Sequence, residues 1–483
     1  MRSDRDFGAP GTPVLVIDLD GTLLRSDLLL EMGLLFLREQ PLRLFAPLRW
    51  LLRGKAALKQ ELAGATDVDV AVLPYDRAVI EFIEAERGRG RRVVLATASH
   101  RRLAERVAAH LQLFDDVIAT DADRNLSAET KRDVLVQAFG ERGFDYVGNS
   151  HDDLPVWRAA RHAYVANPMP VVEQRARKLG NVAAVLRSER VTLRDWARAL
   201  RLHQWLKNLL LFVPLFAAHR YTELPLVQDA LLAFICFSSC SSSVYILNDL
   251  LDLGDDRRHP GKRSRPFASG RLSIHAGLAV LPLFLVAAFA LALWQLPLAF
   301  AGVLATYYGL TLAYSLSLKR HMVVDVITLA ALYTLRVIAG TVALGLSLSF
   351  WLLAFSMFIF LSLALVKRYA ELFDARAEGR LEKVRGRGYF HDDLEMVAAL
   401  GAAAGYMAVL VLALYINDEN TTRLYRRPEV IWLACPLLLA WVSRVWMLAH
   451  RGRMHEDPVI FAVQDRLSLA IGALVAIVFW AAT

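Results

Sequence analysis

Hydrophobic and polar positions follow two different patterns along this 483-residue chain. Up to about residue 185, short apolar runs such as Val14–Ile17 and 93–96 alternate with charged stretches of helical character. Strands interleaved with helices in this way predict a parallel sheet. From about residue 205, long apolar runs follow one another, each near the ~20 residues that a helix needs to cross a bilayer. The pattern therefore predicts an α/β domain over residues 1–185 and an all-α membrane domain over residues 186–483.

The membrane domain is predicted to contain nine transmembrane helices. They are placed at about 205–219, 227–247, 275–293, 297–316, 323–344, 350–366, 395–416, 429–448 and 467–483. The first twelve residues are polar and lack the apolar core of a signal peptide. Most loop lysines and arginines follow the even-numbered spans, for example Arg257, Lys319 and Lys367. This bias predicts an inner-membrane protein whose N-terminal domain lies in the cytosol.

Composition and charge narrow the function classes. A hydrophobic content of 55% excludes a disordered chain, and three cysteines exclude a disulfide scaffold. The cysteines, Cys236, Cys240 and Cys435, lie inside apolar runs and are predicted to be packing residues. The net charge is +8, but the basic residues flank the predicted spans. The charge thus favours membrane orientation and phosphate binding, and no nucleic-acid partner is expected. The sequence leaves open whether the protein forms a homo-oligomer.

Carboxylates follow the first predicted strand. Asp18 and Asp20 come directly after the apolar run Val14–Ile17 and are followed by Gly21 and Thr22. Ligands of parallel sheets bind at the carboxyl ends of the strands, and one carboxylate can attack phosphorus while the other handles the proton. The alternative is a turn that ends the strand, with aspartate as its cap. Later strands end in hydroxyls at Thr97 and in an Asn-Ser-His-Asp-Asp run from residue 149, and Lys131 opens a predicted helix.

In order and spacing these segments resemble the four motifs of the haloacid dehalogenase (HAD) phosphatases, over about residues 12–170. The resemblance implies Asp18 as nucleophile, Asp20 as general acid and base, and Thr97 and Lys131 as phosphate binders. It also implies a Mg²⁺ ion, whose ligands would come from Asp18, Asp20, Asn149 and Asp153. Asn149 departs from the aspartate usual in the family, and an amide oxygen is a weaker ligand for Mg²⁺ than a carboxylate. Asp153 is the candidate to compensate.

A cap over this site is expected between the first two motifs, at about residues 25–75. Its leucine-rich stretch, 28–52, is interrupted by charged residues such as Glu31, Arg38 and Arg49. That pattern predicts an amphipathic cap resting near the membrane rather than a span.

A second group of carboxylates ends the second predicted span. Asp249, Asp252 and Asp256 are spaced by three and four residues and would share one face of a helix. Three carboxylates on one face repel each other unless a cation lies among them, and Mg²⁺ bridging a diphosphate supplies that cation. The following loop offers cations for phosphate oxygens, namely Lys262, Arg263 and Arg265.

This run resembles the first motif of the UbiA superfamily of membrane transferases. The second aspartate-rich motif of its aromatic prenyltransferases is missing, because Asp325 is followed by apolar residues. Further signatures at 201–208, 335–340, 367–372, 455–458 and 465–466 resemble the decaprenyl-phosphate phosphoribosyltransferase branch of that superfamily. The resemblance implies transfer of 5-phosphoribose from phosphoribosyl diphosphate (PRPP) to a polyprenyl phosphate, with the three aspartates on Mg²⁺ and diphosphate.

Other cations of the membrane half have two interpretations each. Lys319, Arg320 and Lys367 could bind the lipid phosphate or merely orient the protein. Lys207 could also bind phosphate, or extend to the interface. Arg336 must face the bundle interior and find a partner there, either in the site or in a structural ion pair. Asp325, eleven residues earlier, is about 16 Å away at ~1.5 Å per residue and is too far to pair with it directly.

Three functions remain open. In the leading hypothesis the membrane half makes polyprenyl-phosphate phosphoribose, a precursor for arabinose-type cell-wall glycans, and the HAD half removes its 5-phosphate. Tethering raises the local concentration of the second site. The second hypothesis is an aromatic polyprenyltransferase of quinone or haem maturation with an accessory HAD domain, against which stands the missing second carboxylate motif. The third is a HAD-like regulatory module on a membrane carrier, for which Asn149 is the support.

Overall fold

A computed structural model describes residues 13–120, 126–377, 388–418, 425–454 and 457–483. The motif residues His455 and Glu456 lie outside these ranges. The chain divides into two compact units. The first comprises residues 1–199 together with 246–279, and the second comprises 200–245 together with 280–483. The segment that carries the second carboxylate motif, residues 246–279, therefore belongs to the same compact unit as the N-terminal domain.

The first unit is built on a six-stranded parallel sheet, which confirms the predicted α/β class. Its strands are β1 (Val14–Ile17), β2 (Val93–His100), β3 (Asp116–Thr120), β4 (Phe144–Gly148), β5 (Ala163–Ala166) and β6 (Val182–Leu186). Their order across the sheet is β3-β2-β1-β4-β5-β6. β1 lies at the centre, where Ile17 is in register with Leu95 on one side and Val147 on the other.

Alternate residues of β1 build two hydrophobic cores. Leu15 and Ile17 pack into a cluster that includes Phe36 of the cap, whereas Val16 packs with Tyr146 and other residues on the opposite face. Successive side chains of a strand point to opposite faces of the sheet, so a strand buried on both faces is apolar throughout. This is why the short run Val14–Ile17 contains no polar residue.

Ten helices complete the described part of the first unit. They are Leu28–Glu39, Ala46–Leu52, Lys55–Ala65, Arg77–Gly88, Arg101–Leu111, Ala128–Phe139, Leu154–Ala159, Pro170–Arg177, Leu193–Ala199 and Leu253–Arg258. The first three form the cap between β1 and β2. Asp27 caps the first of them by accepting a hydrogen bond from the Leu30 amide at 3.1 Å. Its residues Leu28, Met32 and Phe36 are buried, so only the second half of the leucine-rich stretch can face outward.

The second unit is a bundle of apolar helices, as predicted. The long helices are Leu224–Leu251, Ile274–Gln295, Leu298–Leu316, Val324–Ala343, Phe350–Ala377, Leu394–Ile416, Ala434–His450 and Arg466–Ala482, and the short helix Pro458–Gln464 precedes the last of them. The helices Leu224–Leu251 and Ile274–Gln295 each have one end in the first unit. Within the described ranges, seven helices are long and apolar enough to cross a membrane. The count is eight if the last two, bent by 78° at their junction, form one broken span.

The first of the nine predicted spans has a different structure. Residues 205–219 fall into a 3₁₀ helix, Leu202–Phe212, followed by a short α-helix, Val213–Ala217. Pro214 cannot donate a backbone hydrogen bond and so interrupts a continuous helix. The segment also packs directly on Val324–Ala343, since a side chain at Gly340 would collide with the backbone of Leu211. Hydropathy alone could not predict this compact form.

Candidate functional sites

The carboxyl ends of the central strands bring the first predicted site together. Asp18 directly follows β1, Thr97 lies near the end of β2, and Lys131 belongs to the helix Ala128–Phe139. The Lys131 ammonium lies 2.7 Å from the Asp18 carboxylate, and all three side chains are buried. Three of the four sequence motifs therefore converge at one edge of the sheet, where parallel sheets bind ligands.

Asp18 and Lys131 form a buried pair. Burial raises the pKa of Asp18 to about 7, and the Lys131 ammonium opposes that shift. Burial would lower the pKa of Lys131, but the neighbouring charges of Asp18 and Asp153 raise it above its usual value. Lys131 also donates to the Tyr146 hydroxyl at 3.0 Å. The lysine is therefore a fixed cation beside the carboxylate, able to hold a phosphate against it.

Asp20 is fixed by donors from two other segments. One carboxylate oxygen accepts from the Leu28 amide at 2.8 Å, and the other accepts from Ser99 Oγ at 2.6 Å and from Thr97 Oγ1 at 3.5 Å. Burial raises the pKa of Asp20 to about 6, and the charge of Asp27 adds to the shift. A carboxyl group with such a pKa can give or take a proton near neutral pH. This suits the general acid and base that the sequence predicts.

The loop after β4 is held by Asp153. One of its oxygens accepts from the amides of Asn149 and Ser150, each at 2.9 Å, and the other accepts from the Tyr146 hydroxyl at 2.8 Å. These bonds order the loop, so the compensating metal-ligand role that was predicted for Asp153 competes with them. Asn149 lies next to the Asp18 loop, where its side-chain oxygen accepts from Thr22 Oγ1 at 3.3 Å.

The fit of this site to Mg²⁺ is limited. Of the four predicted ligands, Asn149 offers only a neutral amide oxygen, and the carboxylates of Asp20 and Asp153 already accept hydrogen bonds from neighbouring groups. Across the described ranges no three side chains of His, Cys, Asp or Glu form a metal-binding group. Hard cations prefer charged oxygen ligands, so the donor set fits Mg²⁺ weakly. A substrate phosphate would add the charge that the protein lacks.

Lys59 of the cap reaches toward the same site, although sequence reasoning did not select it. Its ammonium donates to the main-chain oxygen of Ala98 at 2.6 Å. Burial lowers the pKa of Lys59, and the charges of Asp20 and Asp27 oppose that shift. Lys59 stands in no motif, and only the folding of the cap brings it near the catalytic loop.

The second carboxylate motif is organised around Arg265. Its Nη1 lies 3.2 Å from Asp249 Oδ1 and 2.6 Å from Asp256 Oδ2, and both carboxylates are buried. The two aspartates thus converge on one point, as their spacing predicts, and a cation occupies that point. The chemistry of this donor set fits a divalent cation, which would have to displace the guanidinium.

Asp252 does not join its two neighbours. It lies at the junction of Leu224–Leu251 and Leu253–Arg258, with φ of −99° and ψ of 14°, outside helical geometry. Its carboxylate lies 3.5 Å from Nε of Arg38, which also pairs with Asp255. Of the three predicted loop cations, Arg265 contacts the motif, whereas Lys262 and Arg263 are exposed.

A buried ion pair links the cap to the segment that follows the carboxylate motif. Arg257 donates to both carboxylate oxygens of Glu31, at 2.6 and 3.1 Å, and its Nε donates to the Ala268 carbonyl at 2.8 Å. The two side chains are 5% and 7% exposed. Sequence reasoning treated Glu31 as a break in an apolar stretch and Arg257 as a loop charge, and 226 residues separate the two.

In the second unit, Asp457 contacts two of the lysines that were predicted to bind phosphate. The Lys207 ammonium lies 2.6 Å from its carboxylate and the Lys367 ammonium 3.3 Å from it. The Tyr333 hydroxyl donates to the same carboxylate at 3.0 Å. Lys207 therefore points into the bundle instead of extending to the interface. The sequence motif around residues 455–458 was the signal for Asp457, but it indicated no partner.

Arg336 is buried among neutral groups. Its guanidinium donates to Asn208 Oδ1 at 2.9 Å, to the Leu332 carbonyl at 2.5 Å and to the Tyr307 hydroxyl at 3.2 Å. It also lies 5.3 Å from the centre of the Tyr333 ring. These partners satisfy its hydrogen bonds without neutralising its charge. Of the two interpretations of Arg336, the structural ion pair is not found among its described partners, which are neutral hydrogen-bond acceptors and aromatic rings.

Asp325 pairs with a different arginine. Nε of Arg368 lies 2.8 Å from its carboxylate, and both side chains are almost fully buried. Arg368 also pairs with Glu371, and the Tyr314 hydroxyl donates to Asp325 at 2.8 Å. Lys319 and Arg320 lie nearby in sequence, in the short 3₁₀ helix Leu318–Arg320.

Comparison with known proteins shows that the chain matches two protein families. Residues 209–461 match the UbiA prenyltransferase family, and residues 15–158 match the haloacid dehalogenase-like hydrolases. Uncharacterized protein y4nM of Sinorhizobium fredii is 37% identical over 467 residues, which cover 96% of this chain and 90% of that protein. Nodulation protein NoeC of Azorhizobium caulinodans is 37% identical and covers 60% of this chain and 94% of its own length. Decaprenyl-phosphate phosphoribosyltransferase of Mycolicibacterium smegmatis is 31% identical, covering 56% of this chain and 86% of that enzyme.

Proposed function

The chain belongs to the UbiA prenyltransferase family and carries a haloacid dehalogenase-like hydrolase domain at its N-terminus, and from this premise we propose that it is a membrane phosphoribosyltransferase fused to a phosphatase. It is a multi-pass membrane protein. Its membrane half would transfer 5-phosphoribose from PRPP to a polyprenyl phosphate at the cytosolic face of the inner membrane. Its HAD half would then remove the 5-phosphate of that product.

One observation carries the transferase proposal: among the described residues, two lysine ammonium groups, those of Lys207 and Lys367, contact the Asp457 carboxylate. The Arg336 guanidinium, which lies over the Tyr333 ring, has neutral hydrogen-bond partners in that part of the chain. Buried charges are costly unless they are compensated, so such a cluster favours an anionic ligand. Both proposed substrates bear phosphate. The relative from Mycolicibacterium smegmatis is named for a lipid phosphate, decaprenyl phosphate, and for phosphoribosyl transfer.

The residues divide between donor and acceptor. Asp249 and Asp256 would hold a Mg²⁺ ion that neutralises the diphosphate of PRPP, and Asp252, which contacts Arg38 in this structure, would join them only by turning away from that arginine. Phosphate oxygens of the donor would be bound by Lys262, Arg263 and Arg265. The lipid phosphate would be bound by Lys207, Lys319, Arg320 and Lys367.

The transfer itself needs no strong base. The acceptor phosphate is already ionised at neutral pH, so its oxygen can attack C1 of the ribose as diphosphate leaves. Positive charge develops on the sugar ring as the bond breaks, as in glycoside hydrolysis. Because Arg265 bridges Asp249 and Asp256 in this structure, it would have to move toward the diphosphate when the donor binds.

In the phosphatase half, the Asp18 carboxylate would attack the 5-phosphate and Asp20 would protonate the departing sugar oxygen. Lys131 and Thr97 would hold the phosphoryl oxygens. The resulting acyl phosphate on Asp18 is hydrolysed by water that Asp20 deprotonates, which restores both groups. Mg²⁺ held by Asp18, Asp20 and Asn149 would reduce the charge repulsion between carboxylate and phosphate.

The transferase is tested with purified full-length protein, labelled PRPP, Mg²⁺ and decaprenyl phosphate. We expect a labelled lipid, and we expect Asp249→Asn to abolish it. Asp229→Asn is the matched control, because Asp229 lies on the same helix, Leu224–Leu251, but outside the carboxylate motif, and its variant should still label the lipid. If no lipid becomes labelled, the transferase proposal fails. Labelled transfer of a prenyl group from polyprenyl diphosphate to a phenol would instead establish the aromatic prenyltransferase alternative.

The phosphatase is tested on the same labelled lipid. The wild-type protein should yield a product without 5-phosphate, whereas Asp18→Asn should accumulate the phosphorylated lipid. If both proteins leave the 5-phosphate in place, the HAD half is not a phosphatase for this product. In that case Asn149→Asp, assayed with a generic phosphomonoester, separates an impaired enzyme from a regulatory module.

A further inference from the structure

A run of large apolar side chains is exposed on the cap. It lies between the helices Leu28–Glu39 and Lys55–Ala65, at residues 41–53, and includes the short helix Ala46–Leu52. Six of its side chains are between 45% and 99% exposed: Leu42, Leu44, Phe45, Leu48, Leu51 and Leu52. Contiguous apolar surface of this kind is rare on a soluble domain and marks a surface of interaction.

The 41–53 segment is attached to the cap by side-chain packing on one side. The preceding helix buries Leu28, Met32 and Phe36 completely or nearly so. The Trp50 ring packs edge-on against Phe36, with 5.1 Å between ring centres. One side of the segment is thereby attached to the cap, while its leucines point away from it. The apolar face is a built feature of the domain.

The charge of the segment selects its partner. From Pro41 to Lys55 the chain carries four cations, Arg43, Arg49, Arg53 and Lys55, and no aspartate or glutamate. Exposed leucine and phenylalanine flanked by arginine and lysine are typical of segments that lie in the interface of an anionic membrane. A second protein chain would have to bury these cations with the leucines.

The position of the segment within the first unit favours the same partner. Arg38, three residues before Pro41, contacts Asp252. Asp252 directly follows Leu251, the last residue of a 28-residue helix that is long and apolar enough to cross a membrane. The segment therefore begins close to the C-terminal end of an apolar helix that is long enough to cross a membrane.

We propose that the 41–53 segment is an interfacial membrane anchor, which inserts its leucines and Phe45 into the surface of an anionic bilayer while its arginines contact the lipid phosphates. The inference depends on neither enzymatic activity. If the phosphatase function also holds, the anchor keeps the Asp18 site at the surface on which a lipid-carried phosphate is presented.

Fluorescence quenching tests the anchor in the full-length protein. Leu48→Cys and Leu52→Cys are labelled with bimane, and the protein is reconstituted into vesicles of phosphatidylcholine and phosphatidylglycerol with or without brominated acyl chains. Glu141→Cys is the matched control, because Glu141 is exposed in the turn before β4. This turn precedes the N-terminal end of a strand, whereas the cap follows the C-terminal end of β1. The unlabelled-site background is measured on the parent protein, whose three cysteines are buried.

We expect brominated lipid to quench both cap labels by about twofold or more and to leave the Glu141 label unchanged. Adding Arg43→Glu and Arg49→Glu to Leu48→Cys should weaken the quenching, and omission of phosphatidylglycerol should do the same. Cap labels that are as insensitive to brominated lipid as the Glu141 label would overturn the proposal. So would efficient cross-linking between Leu48→Cys copies without lipid quenching, which would identify the partner as a second copy of the chain.

Discussion

The buried pair of Glu31 and Arg257 allows a quantitative prediction. Replacing Arg257 with methionine removes the cation but leaves the Glu31 carboxylate buried, at 7% side-chain exposure. At 2.6 Å and an effective dielectric constant of about 20, the attraction between the two charges is about 6 kcal/mol. Desolvation of the two ions offsets much of this gain, and loss of one partner from a buried pair costs about 3–5 kcal/mol.

The effect should appear as local opening of two segments. We expect Arg257→Met to accelerate amide exchange in Leu28–Glu39 and Leu253–Arg258 by about 10²- to 10⁴-fold, since about 1.4 kcal/mol corresponds to a factor of ten. Hydrogen-exchange mass spectrometry on the full-length protein measures this directly. Glu31→Leu should act in the same way, because it strands the guanidinium.

A double-mutant cycle and a neighbouring arginine make the prediction specific. The double variant Glu31→Leu with Arg257→Met leaves no unpaired charge, so its exchange should return to within about tenfold of the wild type. Arg258→Met is the control, because Arg258 pairs with Asp69 while both are exposed, and exposed pairs contribute about 0–1 kcal/mol. Equal acceleration by Arg257→Met and Arg258→Met would refute the reasoning.

Three further predictions concern other parts of the chain. Burial alone would raise the pKa of Asp145, but Arg161 and Arg91 hold that pKa below its usual value. The ionised Asp145 carboxylate therefore stabilises the fold fully at neutral pH, and this stabilisation is lost as the pH falls through the lowered pKa. Asp145→Asn should lower the free energy of unfolding at neutral pH by about 3–5 kcal/mol and flatten its acid dependence, and unchanged thermal melting would contradict this. Asn149→Asp should lower the Mg²⁺ concentration that gives half-maximal phosphomonoester hydrolysis by about 10- to 100-fold, as measured by metal titration. An unchanged half-maximal concentration would contradict the assignment of Asn149 as a ligand. Gly340→Ala should destabilise the bundle by about 1–3 kcal/mol, because the new side chain would meet the backbone of Leu211, whereas Gly302→Ala, with open space around it, should melt like the wild type.

Much of the first unit could be predicted because its signals are local. The fully apolar run of β1 indicated a strand buried on both faces. Asp18, Thr97 and Lys131 could be grouped from their motif context, because the carboxyl ends of parallel strands meet at one edge. Asp249 and Asp256 do meet, as expected, but they do so at Arg265 and across the helix break at Asp252, not on one continuous helix.

Other features depend on contacts between distant parts of the chain. Lys207 and Asp457 are 250 residues apart, and no local pattern in either segment indicates that one ion pair joins them. Asp252 has the spacing of its neighbours but does not join them, because its backbone leaves helical geometry and its carboxylate contacts Arg38. Residues 209–217 of the first predicted span are apolar, yet the compact form of the span follows from Pro214 and from close packing at Gly340.

The sequence by itself determined the kinds of structure in this protein: a buried parallel sheet, a series of apolar helices, and the residue types able to handle phosphate. Periodicity and hydropathy encode these properties because each depends on neighbours a few residues away. Only the tertiary structure decided which charges meet, that Arg265 lies between Asp249 and Asp256, and that the leucines after Glu39 stay exposed. The physical reason is that charge pairing and burial depend on distances in space, which are set once the whole unit has packed.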